Sequence, residues 1–217
     1  HLDVIRKPRA TIILLGDEIV LDGLPHDGLV RDALGPQLPG WLHRFGVDVV
    51  ATEYVSDELK LVVEALDKAL QNSDIIFTTG GTADGPRDHV HAAIASLKGE
   101  LLVDSVKVRP GHPMLLAHIN KTPLVGLPGN PQSAIVALLT LGQPVIDALM
   151  GRKEVELNQI VTGDDIDVPE GFTRLVLGNV VDGWFEMGEY LGSAMLRGLA
   201  HSTGFAVADK SMEEGEM

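Results

Sequence analysis

The sequence predicts an α/β protein, a three-layer α/β/α mostly parallel sheet followed by a small β-rich unit. Three observations carry this. Apolar runs of the kind buried on both faces, at residues 10–15, 74–79 and 123–127, each end in a glycine-containing turn, and helical spacing lies between or after them. The pattern changes near Gly151-Arg152-Lys153, after which strand signals dominate. The chain has 217 residues, 45% of them hydrophobic, which is room for one large or two smaller domains with a real core. The predicted division is 1–150 and 151–217.

Composition also excludes function classes. A formal charge of −14 disfavours general nucleic-acid binding, because the phosphate backbone repels such a surface. The absence of cysteine excludes disulfides, thiolate metal sites and a Cys nucleophile, and it fits a reducing compartment. No uninterrupted apolar run reaches the ~18 residues of a membrane span, and no leader pattern opens the chain. A cytoplasmic protein without membrane or nucleic-acid partners is expected. His1 in place of an initiator Met, and the stop at Met217, read as a piece cut from a longer chain.

The elements follow in order. Residues 10–15 form a buried strand that runs into Gly16-Asp17-Glu18. Two carboxylates there stand where open α/β sheets place their sites, or on a solvated loop; position alone leaves both readings open. Residues 19–40, rich in Gly, Pro and Asp, read as a long loop, 41–45 as a short helix and 47–51 as the next strand. Leu59, Val62, Val63, Leu66 and Leu70 place a helix over about 57–71. Ser56 or Asp57 is its expected cap, the favoured role of Asp57 by residue type. The strand at 74–79 leads into Gly80-Gly81-Thr82-Ala83-Asp84-Gly85-Pro86-Arg87-Asp88. A Gly-rich turn between strand and helix lets backbone N–H groups approach a phosphate. It is neither a P-loop nor a GxGxxG fingerprint. Asp88 opens the next helix, as a dipole partner or as a functional acid. A strand over 101–108 leads to Arg109-Pro110-Gly111-His112-Pro113, and 114–119 with 123–127 form a hairpin around Asn120-Lys121. Beyond residue 150, strands are expected at 155–161, 172–181, 184–187 and 205–208, with an Asp182-Gly183 turn and a short helix over 193–200. The eight histidines show no metal-binding spacing.

The stretch Gly126-Leu127-Pro128-Gly129-Asn130-Pro131-Gln132-Ser133-Ala134 joins the 123–127 strand to a helix that reaches about residue 149. Pro128 and Gly129 suit the turn, Asn130 the N-cap and Pro131 the first helical position. The free N–H groups of the first turn, including that of Ser133, offer an anion site, although many such turns bind nothing.

Four stretches now stand together: Gly16-Asp17-Glu18, Gly80 through Asp88, Arg109 through Pro113, and Gly126 through Ala134. In this order they resemble the molybdopterin-binding domain found in MoeA, the gephyrin E domain and the MogA/MoaB proteins. The resemblance covers about residues 9–150. Gly192-Ser193-Ala194-Met195-Leu196-Arg197-Gly198-Leu199-Ala200 looks like a stretch of the small C-terminal β domain of MoeA, which favours the MoeA type over a stand-alone MogA type. The resemblance implies that two N-terminal domains are absent and that the final domain is truncated.

What the resemblance implies is molybdenum cofactor biosynthesis: molybdate enters adenylylated molybdopterin, AMP leaves and Mg²⁺ assists. It implies catalytic roles for Glu18, Asp57 and Asp88, with Asp57 and Asp88 around the cation. Asp17, Gly80, Gly81, Thr82, Gly85, Arg109, Pro110, Gly111, Pro113, Pro128, Gly129, Asn130, Pro131 and Ser133 are expected to hold pterin, nucleotide or anion. Acidic groups beside a phosphoanhydride make chemical sense as ligands of a hard cation. Homodimerisation of the full-length protein and a MogA-like partner are implied in the same way. Departures point elsewhere. Ala83 replaces the usual Ser, Gly85-Pro86-Arg87-Asp88 looks like the MogA loop, Arg109 and His112 replace Lys, and Asp32-Ala33-Leu34 replaces Asp-Ser-Asn. They keep open pterin adenylylation and a non-catalytic pterin-binding or scaffold module.

Overall fold

The computed structural model describes residues 4–82, 88–153, 155–189 and 191–217. Strand β1 (Arg9–Leu15) is buried from Ala10 onward. Its successor segment is not the plain loop expected from 19–40. β2 (Ile19–Val20) pairs in parallel with β3 (Val30–Arg31), and α1 (Leu38–Arg44) starts early because Pro39 suits a first helical turn while Leu38 and Leu42 bury one turn apart. β4 (Asp48–Val55) outruns the expected 47–51, since every residue of β1 has a partner on it. Next come α2 (Leu59–Leu70), β5 (Ile75–Thr79) and α3 (Val90–Ser96). The expected strand at 101–108 is two strands, β6 (Glu100–Asp104) and β7 (Val108–Arg109), which belong to different sheets. β8 (Leu115–Ile119) and β9 (Thr122–Leu127) form the expected hairpin, with Asn120 and Lys121 both at positive φ.

The long helix is interrupted. α4 (Pro131–Ala137) passes into a π-helical turn (Leu138–Gly142) and then α5 (Gln143–Leu149). Pro144 has no N–H to give the turn before it, and the Gln143 N–H bonds instead to Leu138 O. The whole run Pro131–Leu149 is long and apolar enough to cross a membrane by length and composition, but its residues 132–138 are buried in the core.

Among the described residues the main sheet has the order β4-β1-β5-β9-β8-β6. The first four strands are parallel; β8 runs against both β9 and β6, so the sheet is mixed at one side. Alternation along β1 divides the core into two layers. Ile12 and Leu14 pack with Leu38 and Leu42 of α1 and with Ala134, Ile135 and Ile146 of α4 and α5. Ile13 and Leu15 pack with Val62 and Leu66 of α2 and Val90 and Ile94 of α3. Helices therefore cover both faces, as a buried parallel sheet requires. The chain passes from β1 to β4 on one side and then to β5 on the other. The order reverses about β1, and the crevice at its carboxyl end is the expected ligand position of such sheets.

The second sheet is built from β10 (Val161–Thr162), β11 (Thr173–Val181), β12 (Trp184–Met187) and β13 (Gly204–Ala208), with α6 (Arg197–Ala200) between the last two. The strand expected at 155–161 is reduced to β10: Val155 and Leu157 stay exposed at 59% and 75%, with no apolar layer to cover them. The helix expected over 193–200 is reduced to α6. Ile166, Val176 and Phe185 form a small core of this sheet's own. Its other face joins the main core through Leu175, with Leu199 and Phe205 packed alongside. β7 also pairs with β11, Val108 opposite Thr173 and Arg109 opposite Arg174.

Candidate functional site

Four turns leave the parallel strands at the same edge of the sheet, because Leu15 lies opposite Val55, Leu14 opposite Thr79, and Thr79 opposite Leu127. The turn after β1 begins at Gly16, whose φ of 140° is open to glycine but rarely to other residues. A Cβ there would stand 2.9 Å from both carboxyl oxygens of Glu18, so the glycine lets that acid fold back over the turn. Asp17 and Asp57 face each other across the β1 and β4 ends. The Asp17 N–H donates to Asp57 Oδ2 at 3.3 Å and the Asp57 N–H to Asp17 Oδ1 at 3.4 Å. Asp57 is thus not the helix cap expected of it. Glu58 holds that position in an extended conformation with no side-chain cap bond. Burial pushes the Asp57 carboxyl above the usual carboxylate range; the Asp17 N–H opposes this, and the charges of Asp17 and Glu18 add to it. His89 Nε2 lies 3.1 Å from Asp57 O, so its N–H tautomer donates there and ties the start of α3 to the acidic corner. Asp88 directly precedes His89 and is half-buried; the helix it was expected to open begins two residues later, at Val90, with His89 as cap.

The turn after β5 is held by the Gly80 N–H donating to Leu127 O at 2.9 Å. Gly80 and Gly81 sit at φ 75° and 65°. A Cβ on Gly80 would lie 3.0 Å from Leu15 O, and one on Gly81 2.9 Å from Val90 Cγ2. The turn therefore nests between the ends of β1 and β9 and the start of α3. Gly129 reaches the same spot from the other side, since its Cβ would stand 3.8 Å from Gly80 Cα. Thr82 is buried, its methyl beneath Gly126 of β9. Gly85 lies outside the described residues.

At the start of α4, Pro128 is buried, while Gly129 and Asn130 are exposed. Asn130 is the N-cap in an extended conformation, as expected, but its side chain makes no cap bond. Pro131 has no N–H to offer, and the Gln132 N–H donates to Ser193 O at 2.9 Å. Fewer N–H groups are free for an anion than the sequence implied. With its amide oriented to satisfy both ends, Gln132 also donates to Gly192 O at 2.7 Å and Leu191 O at 3.1 Å. Ser133 is buried, and its carbonyl stands 3.3 Å from the Cβ position of Gly111. The Arg109-Pro110-Gly111-His112-Pro113 loop, with a cis Arg109–Pro110 bond, thus packs directly on the first turn of α4. The Arg109 guanidinium lies 5.0 Å from the ring centroid of Phe172, and the His112 ring 5.5 Å from it. His112 Nδ1 meets Val106 O at 2.5 Å.

The structure brings Asp17, Glu18, Asp57, Gly80 and Gly81 together, with Pro128 and Gly129 beside them, and joins Arg109, Gly111 and Ser133 into an adjoining corner. It also shows contacts that sequence reasoning missed. Asp32 accepts from the Leu34 and Gly35 N–H groups and from the Tyr54 hydroxyl at 2.7 Å. Burial and that bond hold the Tyr54 hydroxyl up to about 12. Asp32 is committed to fixing the loop after β3. Phe172 and Gln132 were invisible too: the one is an apolar residue before a strand, and the other is a buried polar residue whose partners lie 59 and more residues away. Among the described residues, no three His, Asp or Glu side chains cluster closely enough to hold a metal unaided.

The comparisons agree with this architecture. A family model described as "Probable molybdopterin binding domain" matches residues 11–148. The chain is 28% identical to a molybdopterin molybdenumtransferase of Staphylococcus epidermidis, over 80% of this chain and 42% of the relative. It is 34% identical to one from Nostoc sp., over 70% of this chain and 36% of the relative. The chain therefore spans only about two fifths of the length of these curated relatives. The molybdopterin biosynthesis moeA protein of Pyrococcus horikoshii superposes with a TM-score of 0.77 at 19% identity, covering 97% of this chain and 52% of that one. MoaB of Thermus thermophilus reaches 0.50 at 22% identity, covering 67% of this chain and 98% of that one. The likeness to moeA thus extends over both sheets, and the likeness to MoaB over about two thirds of the chain. On the family match alone, which covers well over half its length, this chain belongs to the molybdopterin-binding domain family.

Proposed function

We propose that the chain serves molybdenum cofactor biosynthesis by inserting molybdate into adenylylated molybdopterin with release of AMP. The observation that carries this reading is the convergence of the turns after β1, β4, β5 and β9 on one carboxyl edge, acidic at one side and lined by glycine at the other. Glycine turns that leave no room for a Cβ allow backbone to approach a phosphate closely. The Arg109 loop against α4 supplies a fixed fork for an anion. Relatives named molybdopterin molybdenumtransferase support the assignment.

The acidic side fits Mg²⁺ in one specific way. Burial raises the Asp57 carboxyl and the charges of Asp17 and Glu18 add to it, and a cation beside them would offset both effects. Mg²⁺ commonly takes one or two carboxylates and completes its shell with water and substrate phosphates, so the lack of an all-protein cage is compatible with it. When bound, it would supply charge neutralisation at the phosphoanhydride. Asp57 and Asp88 are assigned to the cation and nucleotide. Glu18 is assigned to ordering water beside them, Gly80, Gly81 and Gly129 to close approach of the phosphates, and Arg109 to orienting the anion. We place the domain boundary near residue 150, and assign a cytoplasmic, homodimeric full-length protein.

The test is incubation with adenylylated molybdopterin, molybdate and Mg²⁺, followed by chromatography of the products. Molybdate-dependent AMP is expected. Asp57→Asn should cut it by more than the roughly 10- to 100-fold typical of losing an outer-shell partner of a metal. Adenylylated pterin formed from plain molybdopterin and ATP would instead assign the MogA-type activity favoured by Gly85-Pro86-Arg87-Asp88. Pterin binding without turnover in either tube would assign a binding module.

A further inference from the structure

The anion corner is held by the second sheet, not by its own domain. Arg109 leaves β7, and β7 is paired with β11 of the small sheet rather than with the main sheet. The Thr173 N–H donates to Lys107 O at 2.8 Å and locks that register. One residue earlier, Phe172 offers its ring to the Arg109 guanidinium at 5.0 Å and to the His112 ring at 5.5 Å. The loop apex at Gly111 rests on Ser133 O, and the neighbouring Gln132 is bonded through its backbone to Ser193. Both halves of the corner, the Arg109 loop and the α4 start, are thus gripped by residues 172–173 and 191–193. We infer that Phe172 is a positioning residue, whose ring face fixes the Arg109 guanidinium for the anionic ligand. This rests on the reading that Arg109 meets an anion of adenylylated molybdopterin.

An aromatic face attracts a guanidinium through its quadrupole, and Arg has many rotamers to lose. Removing the ring frees the cation without removing its charge. The effect should therefore appear only where Arg109 is present, which a merely structural role for Phe172 would not produce. The experiment is a double-mutant cycle on the full chain, with Phe172→Leu and Arg109→Gln alone and combined. The readout is the dissociation constant for adenylylated molybdopterin from equilibrium dialysis, alongside thermal denaturation. Phe172→Leu is expected to weaken binding by about two- to fivefold, the range of an exposed cation–π contact. In the Arg109→Gln background it should change nothing, and Phe172→Trp should restore binding because indole is the best such face. Equal weakening in both backgrounds, or none in either, would overturn the inference while leaving the pterin-binding reading intact. If the unaltered chain does not bind adenylylated molybdopterin, that reading fails and this inference falls with it.

Discussion

Asp57 is expected from its residue type to cap α2, and the cap position belongs instead to Glu58. Its position after a strand was legible, but a capping carboxylate must turn back on its own helix, and that of Asp57 accepts instead from the Asp17 N–H, 40 residues away. Because Asp57 keeps its proton to higher pH folded than unfolded, the folded chain binds more protons in that window. Stability then falls as pH rises through the carboxylate range and stays lower above it. Asp57→Asn should therefore melt at or above the unaltered chain at pH 7, while abolishing molybdate-dependent AMP. The two proteins should converge below about pH 4, where Asp is protonated in both states. A lower melting point for Asp57→Asn at pH 7 would refute the cost of holding this carboxylate charged in the fold. Asp74 is the opposite case. The Arg6 guanidinium grips both its oxygens, and with the Arg9 N–H at 2.8 Å it holds the carboxyl down to about 2. That contribution is present above about pH 4 and is lost as pH falls toward 2. Asp74→Asn should lower stability at pH 7 by less than about 1 kcal/mol, since the pair is solvent-facing, and the difference should shrink as pH falls toward 2 and vanish below it. Acid titrations of both proteins followed by circular dichroism would decide it.

At the scale of elements, legibility tracked burial on two faces. The strands read at 10–15 and 74–79 match β1 and β5 to within a residue because both are buried along their length from Ala10 and Ile75 onward. β4 was cut short because it is an edge strand along which exposed and half-buried positions alternate, so that polar Thr52 and Glu53 interrupt its apolar run. The break of the 131–149 run into α4, π turn and α5 was foreseeable from Pro144, but the apolar spacing on both sides outweighed it. Apolar Val155 and Leu157 misled in the other direction, since β propensity means little without a partner strand. The glycines separate the two kinds of constraint at the site. A Cβ at Gly126 would fall 2.6 Å from Leu115 Cγ and 2.8 Å from Thr82 Cγ2, whereas one at Gly129 meets nothing nearer than 3.8 Å. Gly126→Ala should cost about 1–3 kcal/mol by overpacking. Gly129→Ala should leave stability within about 0.5 kcal/mol of the unaltered chain, as a surface change does. If Gly129→Ala nevertheless loses pterin affinity, the missing space is space for the ligand. Urea unfolding and dialysis on both variants would separate the effects.

At the scale of the molecule, the sequence showed two compositions but could not show how the two parts are coupled. Composition registers the change near residue 150, whereas coupling depends on which face of β11 turns inward. Leu175, only 8% exposed, faces the main core with Leu199 and Phe205, while Val176 faces the small core with Phe185 and Ile166. One strand thus feeds two cores, and β7 reaches across from the first part to pair with it. Elements that share a core unfold together, and a single cooperative transition is expected despite the two sheets. The two tryptophans report on the two parts: Trp41 packs against the main core and Trp184 lies on β12. In single-tryptophan variants, Trp41→Phe and Trp184→Phe, the urea midpoints should coincide. Leu175→Ala should shift both midpoints together, at a cost of about 2–5 kcal/mol for a buried leucine truncated to alanine. An early Trp184 transition that leaves Trp41 in place would mean that the small sheet opens by itself. The Arg109 loop would then lose its hold on β11 in every such opening, and ligand affinity would follow the opening equilibrium rather than the chemistry of the site. Coincident transitions, with Leu175→Ala weakening pterin binding only as far as it populates the unfolded chain, would instead establish that the core on which Leu175 sits holds the anion corner in place.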